Sequence, residues 1–410
     1  MRFDRALGAS ILLLSAGLSV RAGSDVYAPK KAAFSPVPTT LVTLPLDSEG
    51  LIVDPDTGVL YTAEAPNPAG DCIVRSVTLS GVVQVVGVLP KPAPPCAPRG
   101  LEFRNGRLYI ADQGAGATGW IFEMDPATGQ STIVASGVAG ANGIVFDSHG
   151  NLWITDSLRG FGRVYRWDAI TGAVSEAFRV PPVGNGTVYG GKMTTPTTLG
   201  IGRQIANLPA GMQSEVRQVA NGIAVLERYS DDAEEVRRGR PLRATLYVAD
   251  TARGAIWNVQ LDATGNLEPG QTGCDPTLQD NTLCEEAVFA MHPRLEGADG
   301  LWADADGTLW ASANARNAIV TIDARGKVTE FFRNPFNSQF LRSSADTADG
   351  NSHILEYPSN PVIVPASGPN GAPTLCVTSI DRGPRDNWPG SVGEIGGPGQ
   401  NKGKISCFPG

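Results

Sequence analysis

A chain of 410 residues with 41% hydrophobic residues has ample material for a large core, and its net charge of -8, with no basic stripe, argues against nucleic acid and anionic membrane surfaces as partners. Length alone suggests two or three domains, yet closed all-β architectures of this size form single units. Forty-nine glycines and 31 prolines suit a protein made of many turns rather than of helices.

The first five residues, Met1-Arg-Phe-Asp-Arg5, precede an apolar stretch from Ala6 to Val20 and a small residue at Ala22. This pattern predicts a signal peptide over residues 1–22, because the apolar core is too short for a membrane span of about 20 residues. No later stretch is long and apolar enough to cross a bilayer, so an exported soluble protein is expected, secreted or periplasmic. Residues 23–38 are rich in Pro and Ala and should be extended, and residues 39–410 should form one domain.

Thr39–Leu44 reads as a strand, and the first of a series of related segments follows. Glu49-Gly50-Leu-Ile-Val-Asp54-Pro-Asp-Thr-Gly58-Val-Leu60-Tyr61 is a short apolar run, an Asx-Gly type turn and a Leu-aromatic run. The same layout returns at Arg99-Gly100 with Asn105-Gly106 and Leu108-Tyr109, and at Asn142-Gly143 with His149-Gly150 and Leu152-Trp153. Asn221-Gly222 reaches its Leu246-Tyr247 only after a charged insertion, whereas Asp299-Gly300 leads through Asp306-Gly307 to Leu309-Trp310 without interruption. A last, looser copy starts at Asn360-Pro361 and continues at Leu375-Cys376. Each copy is a hairpin with residues that tolerate positive φ at its tip. A lone hairpin is not stable in water, so six copies spaced tens of residues apart predict an all-β, six-bladed β-propeller.

Between copies, Trp120–Val134 and Val164–Val174 supply outer hairpins. Insertions occupy roughly 180–218 and 226–243, the second highly charged and read as a solvated hairpin tip or short helix, and a cysteine-bearing excursion runs from 264 to 295. The closing segment Gly403–Phe408 reads as a strand that joins Thr39–Leu44 to complete one blade, which removes an open edge. All six cysteines follow the signal segment and fall into sequence-near pairs, Cys72 with Cys96, Cys274 with Cys284 and Cys376 with Cys407. Disulfides in that pairing are expected of an exported chain, and no Cys-x-x-Cys suggests a thiolate metal site.

In a propeller the start of each innermost strand faces the central channel. The residues before the glycines then form a ring of Glu49, Arg99, Asn142, Asn221, Asp299 and Asn360. Carboxylates and amide carbonyls at one level are hard oxygen ligands, and calcium takes roughly six to eight of these, waters included. Taken singly, an Asx-Gly pair is ordinary turn chemistry; the weight lies in equivalent positions of different repeats.

The ordered series Glu49-Gly, Asn142-Gly, Asn221-Gly and Asp299-Gly resembles the SMP-30/gluconolactonase/LRE-like family of six-bladed propellers, which is related to diisopropyl fluorophosphatase and the paraoxonases. The resemblance implies a calcium cofactor (Ca2+) held by Glu49, Asn142, Asn221 and Asp299, and hydrolysis of a lactone or ester, with Asp299 and Glu49 as the catalytic carboxylates. Asp299 would act as base or as nucleophile. Arg99, Asn360 and His353 are candidate substrate-binding residues, although Arg99 in that ring could equally balance the carboxylates, and His353 could equally belong to a surface loop. His149, in its turn, is expected to be exposed. Three functions remain open at this point: a lactonase acting on a small molecule, a calcium-dependent phosphotriesterase using the same site, and a non-catalytic binding module. No Gly-x-Ser-x-Gly element suggests a serine hydrolase.

Overall fold

The computed structural model describes residues 34–92, 94–114, 118–157, 162–181, 187–188, 193–194, 219–228, 243–333, 355, 358–365, 371–380 and 403–410. Among them there is no α-helix, and no helix long and apolar enough to cross a membrane. The predicted signal, His353 and most of both insertions, including the charged one, lie outside the described residues.

The strands group into six four-stranded antiparallel blades. After β1 (Thr39–Thr43), the first blade is β2 (Ser48–Val53), β3 (Leu60–Glu64), β4 (Ile73–Val77) and β5 (Val83–Val88), from the axis outward. The second is β6 (Pro98–Arg104), β7 (Arg107–Asp112), β8 (Trp120–Met124) and β9 (Ser131–Ser136). The third is β10 (Ala141–Phe146), β11 (Leu152–Asp156), β12 (Arg163–Trp167) and β13 (Val174–Arg179), followed by a small separate pair, β14 (Thr187–Val188) and β15 (Met193–Thr194). The fourth is β16 (Ile223–Arg228), β17 (Arg243–Asp250), β18 (Ala255–Leu261) and β19 (Val288–Met291). The fifth is β20 (Ala298–Ala303), β21 (Leu309–Ala313), β22 (Ala318–Ile322) and β23 (Val328–Arg333). The sixth is β24 (Pro358–Val364), β25 (Thr374–Ser379), β26 (Lys404–Pro409) and, outermost, β1. The predicted closure by both ends of the domain is thus present, with Thr39 facing Cys407 and Thr43 facing Lys404.

Innermost strands contact one another in order around the axis. The core lies between blades, where the apolar faces of adjacent sheets meet: Leu101, Leu108 and Phe122 of the second blade pack on Ile52, Ala63 and Val74 of the first. The aromatic positions of the second strands serve this packing, as Tyr61 stacks on Phe103 of the next blade with ring centroids 5.7 Å apart, and Tyr109 meets Phe146 edge-on at 4.6 Å. Turn glycines 58, 106, 150 and 307 all have positive φ, as the hairpin reading requires.

The three expected disulfides are formed, and no free cysteine remains. One of them joins Cys376 to Cys407 on the paired strands β25 and β26. The cysteine-bearing excursion of the fourth blade reaches across to the third, with Arg179 N–H donating to the Asn281 carbonyl at 2.9 Å and Leu283 N–H donating to the Arg179 carbonyl at 2.8 Å.

Candidate metal centre

Each innermost strand but β16 breaks register with its neighbour at the ring residue, between Ser48 and Leu51, Pro98 and Leu101, Ala141 and Ile144, Ala298 and Leu301, and Pro358 and Pro361. In the fourth blade Asn221 precedes β16. Such breaks re-aim one side chain relative to the pleat. Glu49, Arg99, Asn142, Asn221, Asp299 and Asn360 all line the wall of one axial cavity of about 230 Å³. The glycine that follows five of the six ring residues is needed because the neighbouring backbone leaves no room. A Cβ on Gly143 would lie 2.5 Å from the Asn221 carbonyl oxygen, and Cβ atoms on Gly50, Gly100, Gly222 and Gly300 would collide with the backbone of the next ring position in the same way. The sixth blade has Pro361 in this place.

Threonines of the second strands tie these backbones together. Thr155 Oγ1 donates to the Asn221 carbonyl and accepts from Gly143 N–H at 2.8 Å, and Thr62 Oγ1 donates to the Gly50 carbonyl at 2.6 Å. Across the closing boundary Thr378 Oγ1 donates to the Glu49 carbonyl at 2.7 Å, and Asn360 Nδ2 donates to the Leu51 carbonyl at 2.6 Å.

Asn142, Asn221 and Asp299 are buried, with Asn221 only 2% exposed. Arg99 pairs with Glu49 through Nη1 and Oε2, and its Nε and Nη2 donate to Gln113 Oε1 at 3.3 and 3.2 Å. Asn142 Nδ2 donates to Ser157 Oγ at 3.1 Å and, more weakly, to Glu49 Oε1 at 3.4 Å. Asn221 Nδ2 donates to Thr251 Oγ1 at 3.0 Å, while its Oδ1 is buried and accepts no hydrogen bond among the described residues. Asp299 Oδ2 accepts from Asn314 Nδ2 at 3.3 Å. Burial first, and then the negative charge of Glu49, push the Asp299 carboxyl up to about 8, against the bonds from Ser359 and Asn314 that favour its ionised form.

An orphaned buried acceptor costs about 1–3 kcal/mol, and two carboxylates facing one buried cavity repel. A hard cation resolves both at once. The donor set of Glu49, Asn142, Asn221 and Asp299 therefore fits calcium in chemistry and in its unmet demands.

Of the predicted substrate-binding residues, Arg99 and Asn360 line the cavity and are held by Glu49 and Gln113 and by Leu51 respectively. His149 is half-buried instead of exposed, because its Nε2 lies 3.0 Å from the Ala263 carbonyl of the neighbouring blade. Sequence reasoning missed Gln113, Ser157, Thr251 and Asn314, which hold four of the ring residues. Each directly follows the last residue of its second strand, a spacing visible in the Leu-aromatic motif.

Residues 240–340, about a quarter of the chain, match the model of the SMP-30/Gluconolactonase/LRE-like region. This part of the chain is similar to an SMP-30/gluconolactonase/LRE-like region. It contains Asp299 and the copy of the repeat around it, so the family resemblance read from the ring is borne out there. Two solved structures share the propeller. Regucalcin from Agrobacterium tumefaciens, described as a calcium-binding protein, is 18% identical, with a TM-score of 0.51 over 92% of this chain and 94% of that one. A luciferin-regenerating enzyme is 13% identical, with a TM-score of 0.52 over 91% and 95%. At these identities the two establish the fold alone. No curated protein matches the sequence.

Proposed function

We propose that this protein is an exported, calcium-dependent hydrolase that opens a small lactone, with Glu49, Asn142, Asn221 and Asp299 as the calcium ligands. The observation that carries the reading is the buried Asn221 Oδ1, without a hydrogen-bond partner among the described residues, on the same cavity wall as Asp299 and Glu49. The family to which residues 240–340 match supports the reaction class, and three disulfides support an oxidising compartment.

Bound calcium supplies a Lewis acid for the carbonyl oxygen of the lactone. The chain's own residues do the rest. Arg99 offsets the charge of Glu49, and Gln113 keeps the guanidinium against that carboxylate. Asn314 fixes Asp299 Oδ2. Asp299 must shed the proton that the cation-free cavity favours; it then either takes a proton from water whose oxygen joins the carbonyl carbon as the ring C–O bond breaks and the leaving alkoxide is protonated, or attacks that carbon itself, expelling the alkoxide to give an anhydride that water cleaves at the Asp299 carboxyl carbon. Single turnover in 18O water separates the two, since only the second places solvent oxygen in the Asp299 side chain.

The test is calcium content of the purified protein together with hydrolysis of a lactone panel before and after chelation. One bound calcium and chelator-sensitive opening of a lactone are expected, and Asp299→Asn should abolish turnover in a folded protein. Absence of calcium, or hydrolysis retained by Asp299→Asn, would overturn the proposal. Organophosphates in the same panel decide whether the site prefers a phosphoryl centre.

A further inference from the structure

Beyond the four ligands, the residues behind them show a proton-counting constraint. We propose that Ser157 and Thr251 are positioning residues that lock the side-chain amides of Asn142 and Asn221 with their carbonyl oxygens free for the channel. The ligand part of this inference rests on the calcium reading above.

A hydroxyl carries one proton. Thr251 Oγ1 commits its proton to the Ala298 carbonyl at 2.6 Å, the residue immediately before Asp299. Towards Asn221, 3.0 Å away, it can then only accept. Asn221 must present its NH2 group there, because the flipped amide would set Oδ1 against a lone pair. Heavy-atom positions alone do not fix an amide's orientation, whereas this arrangement does. Its product is the buried Oδ1 without a partner among the described residues. Ser157 repeats the device one blade earlier: Oγ donates to the Gly140 carbonyl at 3.4 Å and accepts from Asn142 Nδ2 at 3.1 Å.

Gln113 and Asn314 occupy the equivalent positions of the second and fifth blades with the polarity each neighbour requires. Gln113 offers an acceptor oxygen to the Arg99 guanidinium, and Asn314 offers a donor nitrogen to the Asp299 carboxylate. In the first and sixth blades the same position holds Ala65 and Ile380, which have no such group. In blades two to five the outer partner is thus matched in polarity to its ring residue.

Three variants test this in the full-length chain. Thr251→Val keeps the methyl group and loses the hydroxyl; Thr251→Ser keeps the hydroxyl and loses the methyl; Ser157→Ala removes the second lock. Two readouts are taken: calcium affinity by calorimetry, and hydrogen exchange of asparagine side-chain amides by NMR in metal-free protein labelled at asparagine. Loss of a group that orients a ligand weakens metal binding about 10–100-fold, so Thr251→Val and Ser157→Ala should each lose that much while Thr251→Ser stays within a few-fold of the parent. The Asn221 amide protons should exchange faster in Thr251→Val only. A purely packing role for Thr251 reverses the order, with Thr251→Ser the worse variant, and would overturn the inference, as would parental affinity and exchange in Thr251→Val. If the parent takes up no calcium, the calcium reading falls, and faster Asn221 amide exchange in Thr251→Val still supports the lock while unchanged exchange refutes it. Should Thr251→Val not fold, Ser157→Ala decides by the same measurements on Asn142.

Discussion

Gly143→Ala is the substitution that most directly probes how the ring is held. The added Cβ would lie 2.5 Å from the Asn221 carbonyl oxygen, 3.0 Å from Ile223 N and 3.1 Å from Gly222 Cα, all backbone atoms that cannot swing aside. Ordinary contact begins at 3.4 Å, so the third and fourth innermost strands must part by about 0.9 Å. Thr155 opposes that movement, because its hydroxyl holds both Gly143 N–H and the Asn221 carbonyl. Forcing atoms into a packed interior costs about 1–3 kcal/mol, and the upper end applies where backbone meets backbone. The displacement also exceeds the roughly 0.5 Å within which a metal constellation must be held, so calcium affinity should fall at least about tenfold. Differential scanning calorimetry and calcium titration read the two effects. Gly172→Ala is the control: nothing lies within 4 Å of its Cβ, and its positive φ of 70° costs only the usual left-handed penalty of about 1–2 kcal/mol. A Gly143→Ala protein that melts and binds calcium like the parent would refute the claim that close strand approach, not turn geometry, selects glycine after the ring residues.

Further outcomes follow from groups away from the four proposed ligands. Burial in the axial cavity, opposed by Phe103 N–H and Arg104, pushes Glu102 from its ordinary 4.5 up to about 7. A carboxyl whose folded value is raised adds stability that is fully present below about 4.5 and is lost as pH rises to about 7. Glu102→Gln mimics the neutral carboxyl, so it should melt near the parent below about pH 4.5 and increasingly above the parent as pH rises to about 7, and a constant difference would sink the assignment. Removing the Cys376–Cys407 bridge, which closes a separation of 31 residues, should cost about 3–4 kcal/mol by loop entropy. Chemical denaturation of the double alanine variant, and of the parent with reductant, measures it; equal midpoints for reduced and oxidised parent would contradict the expected contribution.

The hairpin copies were legible because two different demands for glycine mark four of them, at 50 and 58, 100 and 106, 143 and 150, and 300 and 307. The turn glycines need positive φ, and the ring glycines need the absence of a Cβ, since none of Gly50, Gly100, Gly143, Gly222 and Gly300 has positive φ. Sequence reading sees the same letter in both places and assigns turn chemistry to each, so it found the ring for a partly wrong reason. The outer partners stayed hidden for another. Gln113, Ser157, Thr251 and Asn314 share a position after the second strand but no residue type, because each answers the polarity of a different inner neighbour. The acids that end those strands were in view in the motif, yet their role is local. Asp250 holds Arg253 Nη1 at 2.6 Å and Trp257 Nε1 at 3.1 Å, and Asp112 accepts from Ala97 and Gly114 N–H groups at 2.7 Å each. These bonds fix the loops that carry Thr251 and Gln113 and thereby support the site at one remove.

The ring is six-membered in topology and uneven in chemistry, and the unevenness has a structural origin. Propeller closure falls between the sixth and first blades, where Asn360 Nδ2 binds the Leu51 carbonyl and Thr378 binds the Glu49 carbonyl. Asn360 is thereby committed to holding the ends of the domain together, and its blade, with Pro361 after the ring residue, has no outer partner to orient a ligand. Blades three to five have no closure to maintain. Their ring residues are the ones whose side-chain bonds turn oxygens towards the axis, and they bring the deepest burial and the raised Asp299 with them. Glu49 is the exception that joins this group from the closing side, and it arrives with Arg99 as its counter-charge. Asn142, Asn221 and Asp299 are therefore the side of the channel whose residues would hold a cation, and the Arg99 side is left for the polar end of a substrate.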